Sequence, residues 1–301
     1  MKSYLLALDG SKESLIAAEL AWKLAAANDA KVLAQTVVDS QLLWRFIGND
    51  VPGIIGTGPY MAAHETIHAA MKNVQETLLE AYDARARGHK VASESVLDEG
   101  ITLDEITKRA KDHTFVIMGH RRGHESEERA GTWHYSLAER LACVCPKPLL
   151  IVQEQCEPWK AARLIVSEET YETANVAAFL EFAQALKLKP EIYCMASEES
   201  ISKFTNMIKK SIPASENVRI LSSDPQDGDP AWESATDVPL STLLVLSTQA
   251  SKRGRITCAD TDPGSFIHQM RFPALVILPE SKGVAGSLSA DNRAKSLSKK
   301  G

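Results

Sequence analysis

Two histidines four residues apart enclose a glutamate in His64-Glu65-Thr66-Ile67-His68. On a helix this spacing sets two imidazoles on one face, where they can hold zinc while the glutamate serves as a base. A catalytic zinc needs a third protein ligand. The extended form of the motif fails, because Met71 and Val74 stand where its further glycine and histidine would be. A third ligand would therefore have to come from Glu94 or Glu99. The pair also borders an apolar stripe, which is where boundary residues over a packed face belong, so no metal is expected to be required. His120, His124 and His134 form a second group, but no nucleophile or carboxylate pair accompanies them at an interpretable spacing. No catalytic residue is assigned to them. Ser11 and Ser136 are placed to cap helices. The cysteines are Cys143, Cys145, Cys156, Cys194 and Cys258. An odd count without zinc or redox spacing fits reduced thiols in a cytoplasm.

The elements that would carry these residues alternate regularly. Tyr4–Leu8 is an uninterrupted apolar run, as expected of a strand buried on both faces. Asp9-Gly10-Ser11 breaks it, and Leu15, Ala18, Trp22 and Ala25 then recur at helical spacing. Val32–Val38 reads as a strand and Gly48–Pro59 as a loop. A long helix follows, with Ile67, Met71, Val74 and Leu78 on one stripe. Val91–Leu97 is a strand, Ile101–Ala110 a helix opened by Thr102 ahead of Asp104 and Glu105, and Phe115–Met118 a strand. Ser136-x-x-Glu139 has the form of a capping box, and Leu149–Val152 supplies a fifth strand. Strands alternating with helices define a parallel α/β sheet with covered faces.

The pattern then restarts. A shift of 158 residues lays Leu164-Ile165-Val166 on Leu6-Ala7-Leu8, Ala174–Ala183 on the first helix, and Glu191–Met195 on the second strand. Ser200–Ile212, Val218–Leu221, Leu243–Leu246 and Leu275–Leu278 continue the order as a helix and three strands. Two copies of one unit are expected, at 1–153 and 161–280, joined by a short linker and followed by a disordered tail at 281–301. The chain of 301 residues is long enough for two cores. Its 34 Lys and Arg against 39 Asp and Glu give a net charge of −5, with no general pull toward nucleic acid or anionic lipid. No apolar run approaches the roughly 20 residues of a membrane span, and the first stops at Asp9, short of a signal sequence. A cytoplasmic location is expected.

Leu6-Ala7-Leu8-Asp9-Gly10-Ser11, Val116-Ile117-Met118-Gly119-His120-Arg121-Arg122-Gly123 and Cys145-Pro146 before the last strand resemble the universal stress protein family, over about the first 150 residues. In the second half the resemblance rests on element order and on Phe272-Pro273-Ala274-Leu275-Val276-Ile277. It implies two flavodoxin-like or Rossmann-like lobes, each a parallel five-stranded sheet, packed as an intramolecular pseudo-dimer with room for further homodimerisation. It implies a regulatory stress-response protein with an unnamed protein partner. Its cofactor would be ATP or AMP, bound by the first lobe with no metal required.

The family's nucleotide loop has the form Gly-x2-Gly-x9-Gly-[Ser/Thr]. The resemblance implies a site at Asp9, Val38, Gly119, Gly123, Gly131 and Thr132: Asp9 matches the family's aspartate toward the adenosine half, Val38 would give backbone contacts beside the base, and the glycines would let N–H groups approach phosphates. Here the spacings between Gly119, Gly123 and Gly131 differ from that pattern, and Glu125, Glu127 and Glu128 add negative charge. Two other readings stay open. One is a nucleotide-independent interaction module. The other is an enzyme, either a slow ATPase or a zinc hydrolase built on His64-Glu65-x-x-His68. In the second half, Ser167-Glu168-Glu169 and Leu246-Ser247-Thr248 replace the matching residues, so binding is expected to be confined to the first.

Overall fold

The structure is a computed structural model that describes residues 2–39, 58–121, 136–156, 159–167, 173–195, 198–211, 218–222, 238–250, 256–258, 267 and 272–279. The first half runs β1 (Lys2–Ala7), α1 (Lys12–Asn28), β2 (Ala30–Asp39), α2 (Gly58–Ala86), β3 (Ser93–Gly100), α3 (Thr102–Ala110), β4 (Phe115–Gly119), α4 (Leu137–Val144) and β5 (Leu149–Val152). The second runs β6 (Ala161–Ser167), α5 (Thr173–Ala185), β7 (Lys189–Met195), α6 (Glu198–Ser211), β8 (Arg219–Ser222), β9 (Thr242–Ala250), β10 (Ile256–Cys258) and β11 (Ala274–Leu278). The described strands make one sheet in the order β3-β2-β1-β4-β5-β11-β9-β6-β7-β8, with β10 beside β9. Pairing within each half is parallel, apart from the β9–β10 ribbon. The two five-strand sets expected from the sequence are thus continuous, through antiparallel pairing of Leu149–Val152 with Ala274–Ile277. The tail at 281–301 lies outside the described residues, as does most of the loop expected at 48–59.

Local chemistry sets the helix ends. Ser11 Oγ accepts the Ser14 N–H at 3.1 Å, and α1 ends where Asp29 turns left-handed at φ 51°, its N–H donating to Ala25 O. Lys187, the residue 158 positions on, is left-handed too, at φ 58°. The same shift carries Ala27 onto Ala185. Lys187 Nζ donates to Ala27 O at 2.9 Å, and Lys2 Nζ donates to Ala185 O at 3.2 Å. Each half thus lays a cation on the last carbonyls of the other's helix, where the dipole favours it. The α4 capping box forms as expected, with Ser136 Oγ accepting from Glu139 N and Ser136 N donating to the Glu139 carboxylate. Helix α3 begins without a capping side chain at Ile101; Asp39, from the end of β2, accepts from Thr102 Oγ1 at 2.9 Å instead.

Side chains fill both faces of the sheet. One face holds Trp22, Tyr82, Phe179, Phe182, Phe204 and Ile208 from α1, α2, α5 and α6. Phe115 stacks on Tyr4 and meets the edge of Phe182, which carries this core across the two halves. The Trp22 indole N–H donates to Tyr82 O–H at 3.0 Å, and that hydroxyl lies 2.7 Å from Ser93 Oγ, so α1, α2 and β3 share one buried polar chain. The opposite face holds Ile106, Ala110, Leu141 and Ala142 from α3 and α4. There Arg109 pairs with both carboxylate oxygens of Asp98 and, with Gln35 as a further donor, holds that carboxyl below its ordinary range.

The expected stripe on α2 is corrected. Val74 is 65% exposed, while Leu79, Tyr82 and Ala86 are buried. From Met71 the face turned to the sheet steps through Gln75, not Val74, because Tyr82 is fixed under Trp22 and the helix keeps its 3.6-residue period back from there.

His113 caps the lower end of the first half, its Nδ1 2.8 Å from Ser3 Oγ, and burial lowers its imidazole pKa. An unfolded histidine titrates near pH 6.5, so below that pH the unfolded chain binds the extra proton and stability falls; above it this contribution is complete. Urea denaturation between pH 5 and 7.5 should therefore show a loss on acidification that is smaller in His113→Gln than in the parent. Equal slopes would disprove the assignment.

Candidate functional site

β1 feeds β2 and β3 on one side, and the chain then crosses to place β4 on the other, so a topological switch point lies between β1 and β4. Open α/β sheets bind ligands at the carboxyl ends of strands at such a point. Ala7 and Met118 are register partners, which brings Asp9 and Gly119 to the same rim. Asp9 is exposed, and its Oδ1 accepts the Ser11 N–H at 2.9 Å across Gly10, whose φ is +81°. Ser14 Oγ in turn donates to Ser11 O at 3.0 Å. This tight turn aims the N-terminus of α1 over the end of β4.

Gly119 shows how close that approach is. A Cβ there would stand 2.3 Å from Glu13 C and 2.3 Å from Ser14 N, both backbone atoms. The glycine is required by helix packing whether or not a ligand is present. Val38 is fully buried, backbone included, at the end of β2, and its register partner on β3 is Glu99. Gly123, Gly131 and Thr132 lie outside the described residues, as do His124 and His134. The structure therefore brings Asp9, Gly119 and the Val38 backbone to one end of the sheet.

The corresponding end of the second half is built differently. Leu246 takes the place of Met118 beside the fifth strand, and Ser247 that of Gly119. The strand does not stop there. β9 continues to Ala250 and folds back as β10, with Ala250 opposite Ile256, and Thr248 Oγ1 donates to Leu278 O at 3.0 Å. A ribbon occupies the position at which the first half's fourth strand ends.

His64 and His68 lie on consecutive turns of α2 with rings 11° from parallel and centroids 6.2 Å apart. Of the two acids proposed as a third ligand, Glu99 comes near, with Oε2 3.5 Å from His68 Nε2 and Oε1 3.0 Å from Lys72 Nζ. Lys72 holds the Glu99 carboxyl below its ordinary range. Glu65 lies on the exposed side of the helix. With the side chains as they stand, no three His, Cys, Asp or Glu among the described residues share a metal position. Burial pushes the thiols of Cys145 and Cys156 up to about 11, which leaves them protonated and weakly nucleophilic at neutral pH. Sequence reasoning missed Asp39 as a helix cap, although an isoleucine at the start of α3 was the signal that a cap must come from elsewhere.

No family model matches the chain, and no curated protein does. Solved structures do. A universal stress protein from Archaeoglobus fulgidus DSM 4304 matches 92% of this chain and 98% of its own, at 15% identity and a TM-score of 0.60. A functionally unknown protein from Pseudomonas aeruginosa PAO1 matches 93% of this chain and 92% of its own, at 10% identity and a TM-score of 0.50. A universal stress protein family protein from Arabidopsis thaliana with AMP bound matches 51% of this chain and 92% of its own, at 15% identity and a TM-score of 0.33, too loose a likeness to place a ligand. The chain has a universal-stress-protein-like α/β fold. Among the described residues no helix is long and apolar enough to cross a membrane.

Proposed function

We propose that this chain is a regulatory universal stress protein made of two repeats, 1–153 and 161–280, that pack as an intramolecular pseudo-dimer in the cytoplasm. Its first repeat binds one adenine nucleotide, ATP or AMP. The nucleotide lies across the carboxyl ends of β1, β2 and β4, with Asp9 toward the adenosine half and the Val38 backbone beside the base. Gly119, Gly123, Gly131 and Thr132 follow along the phosphates. The full-length likeness of fold supports the repeat reading, and the lysine contacts on the equivalent carbonyls of Ala27 and Ala185 support a paired arrangement. The observation that supports the asymmetry is the β9–β10 ribbon, which carries the second half's strand on to Ala250 where β4 stops at Gly119.

Titration of ATP and AMP by calorimetry tests this. One site per chain is expected, with Asp9→Asn weakening it by about 1–3 kcal/mol through loss of a charged acceptor. Two sites, or one indifferent to Asp9, would refute the assignment to this lobe. Absence of binding at millimolar nucleotide would favour a nucleotide-independent interaction module, the reading that Gly119's packing role also accommodates. Hydrolysis, if measured, should be slow, since the rim carboxylates Asp9, Asp39 and Glu99 are engaged by the Ser11 N–H, Thr102 and Lys72. Glu65, which a zinc hydrolase would use as its base, is exposed.

A further inference from the structure

We propose that His64, His68 and Glu99 bind a divalent transition-metal ion of the zinc, nickel or copper class, which ties α2 to the end of β3. The site is independent of nucleotide binding. Helix α2 runs antiparallel to β3 and is fastened to it at three levels: Tyr82 to Ser93, Asp83 to Ser95, and Lys72 to Glu99. The first two lie inside the fold, while the last lies at the rim. Beyond Lys72, toward its N-terminus, the helix runs on for about 20 Å at 1.5 Å per residue. His64 and His68 face the sheet side of that stretch, half-buried, while Met61, Glu65 and Thr66 are exposed.

The donor geometry at the rim is already close to that of a coordination edge. Nitrogen and carboxylate oxygen ligands about 2.0–2.2 Å from a tetrahedral ion stand about 3.4 Å from each other. His68 Nε2 and Glu99 Oε2 are 3.5 Å apart. His64, one turn away with its ring nearly parallel, supplies the third donor by rotation about its side-chain torsions. Glu99 already attracts a cation, the Lys72 ammonium at 3.0 Å, and a divalent ion displaces it. Two imidazoles and a carboxylate select the zinc-to-copper class over calcium or magnesium, which favour all-oxygen sets. With Glu65 turned away, no base stands beside the ion among the described residues, and the site acts as a fastening.

The test uses the full chain, stripped with chelator, dialysed, and titrated with zinc chloride and then nickel chloride alone. One saturable equivalent is expected, together with a rise in thermal midpoint that chelator reverses. His64→Gln, His68→Gln and Glu99→Gln should each weaken binding by more than the ~10–100-fold that losing an outer-shell partner costs, while the circular dichroism of the metal-free protein is unchanged. Lys72→Met should leave binding intact or tighten it, because the competing ammonium is gone. No saturable binding, or binding that survives either histidine substitution, would overturn the proposal, because the ion would then sit elsewhere. Binding that needs both histidines but ignores Glu99→Gln would overturn the three-ligand site.

Discussion

Gly119→Ala should lower the unfolding free energy by about 3 kcal/mol or more, among the largest effects of any single methyl group in this chain. The added carbon would meet the Glu13–Ser14 peptide at 2.3 Å. Those atoms are backbone in the first turn of α1 and cannot swing aside as a side-chain tip would. Relief requires lifting α1, which also carries the buried Trp22 and its hydrogen bond to Tyr82. Urea denaturation followed by circular dichroism measures the loss. A change below about 1 kcal/mol would show that α1 slides freely over β4. The variant is therefore a poor probe of ligand binding, whereas Asp9, exposed and held only by the Ser11 N–H, can be altered with the fold intact.

The second large effect is expected at Arg163. Its Nε and Nη2 donate to Glu191 Oε2 at 3.2 and 3.0 Å, on adjacent strands β6 and β7, with the guanidinium 6.0 Å from the centre of the Tyr193 ring. The two side chains are only 11% and 16% exposed. Glu191→Ala takes this carboxylate from a largely buried guanidinium and should cost about 3–5 kcal/mol. The first half supplies the control: a 158-residue shift lays Arg163 on Leu5 and Glu191 on Leu33. Replacing both with leucine should recover most of that loss, since a well-packed apolar pair is often as stable as a buried ion pair. If the double variant is no better than Glu191→Ala, the surrounding pocket is shaped for the charges.

Strands were the most legible part of the sequence, and the reason is burial on both faces. Leu149–Val152 has no polar residue to blur its ends, and the structure gives the same four residues. Ser136 and Glu139 announce the start of α4 through their own hydrogen bonds, so nothing tertiary is needed to find it. What escaped depends on contacts between distant segments. Val74 and Gln75 differ by one position in helical phase, and that phase is fixed at Tyr82 by Trp22, 60 residues away in the chain. Gly119 reads as a loop glycine until α1 is laid over it. β10 is three residues long, and its pairing with the end of β9 leaves no periodic signal. In the candidate site, Asp9 and Gly119 could be found by resemblance, while the burial of Val38 and the placing of Glu99 beside His68 needed the fold.

Joining the halves through their fifth strands also governs how the molecule keeps company with others of its kind. A lone five-stranded sheet ends on two strands with unpaired peptide groups, and two separate sheets would present four such borders. Here two of the four are spent on each other, and β5 and β11 are shut inside. Of the described strands, β3 and β8 remain as the outer borders of the main order, with the three-residue β10 beside the end of β9. β3 carries Glu94, Asp98 and Glu99, and β8 is four residues long. Acidic side chains and shortness both discourage a second chain from adding on, so the same seam that unites the two halves guards this sheet against growing into aggregates.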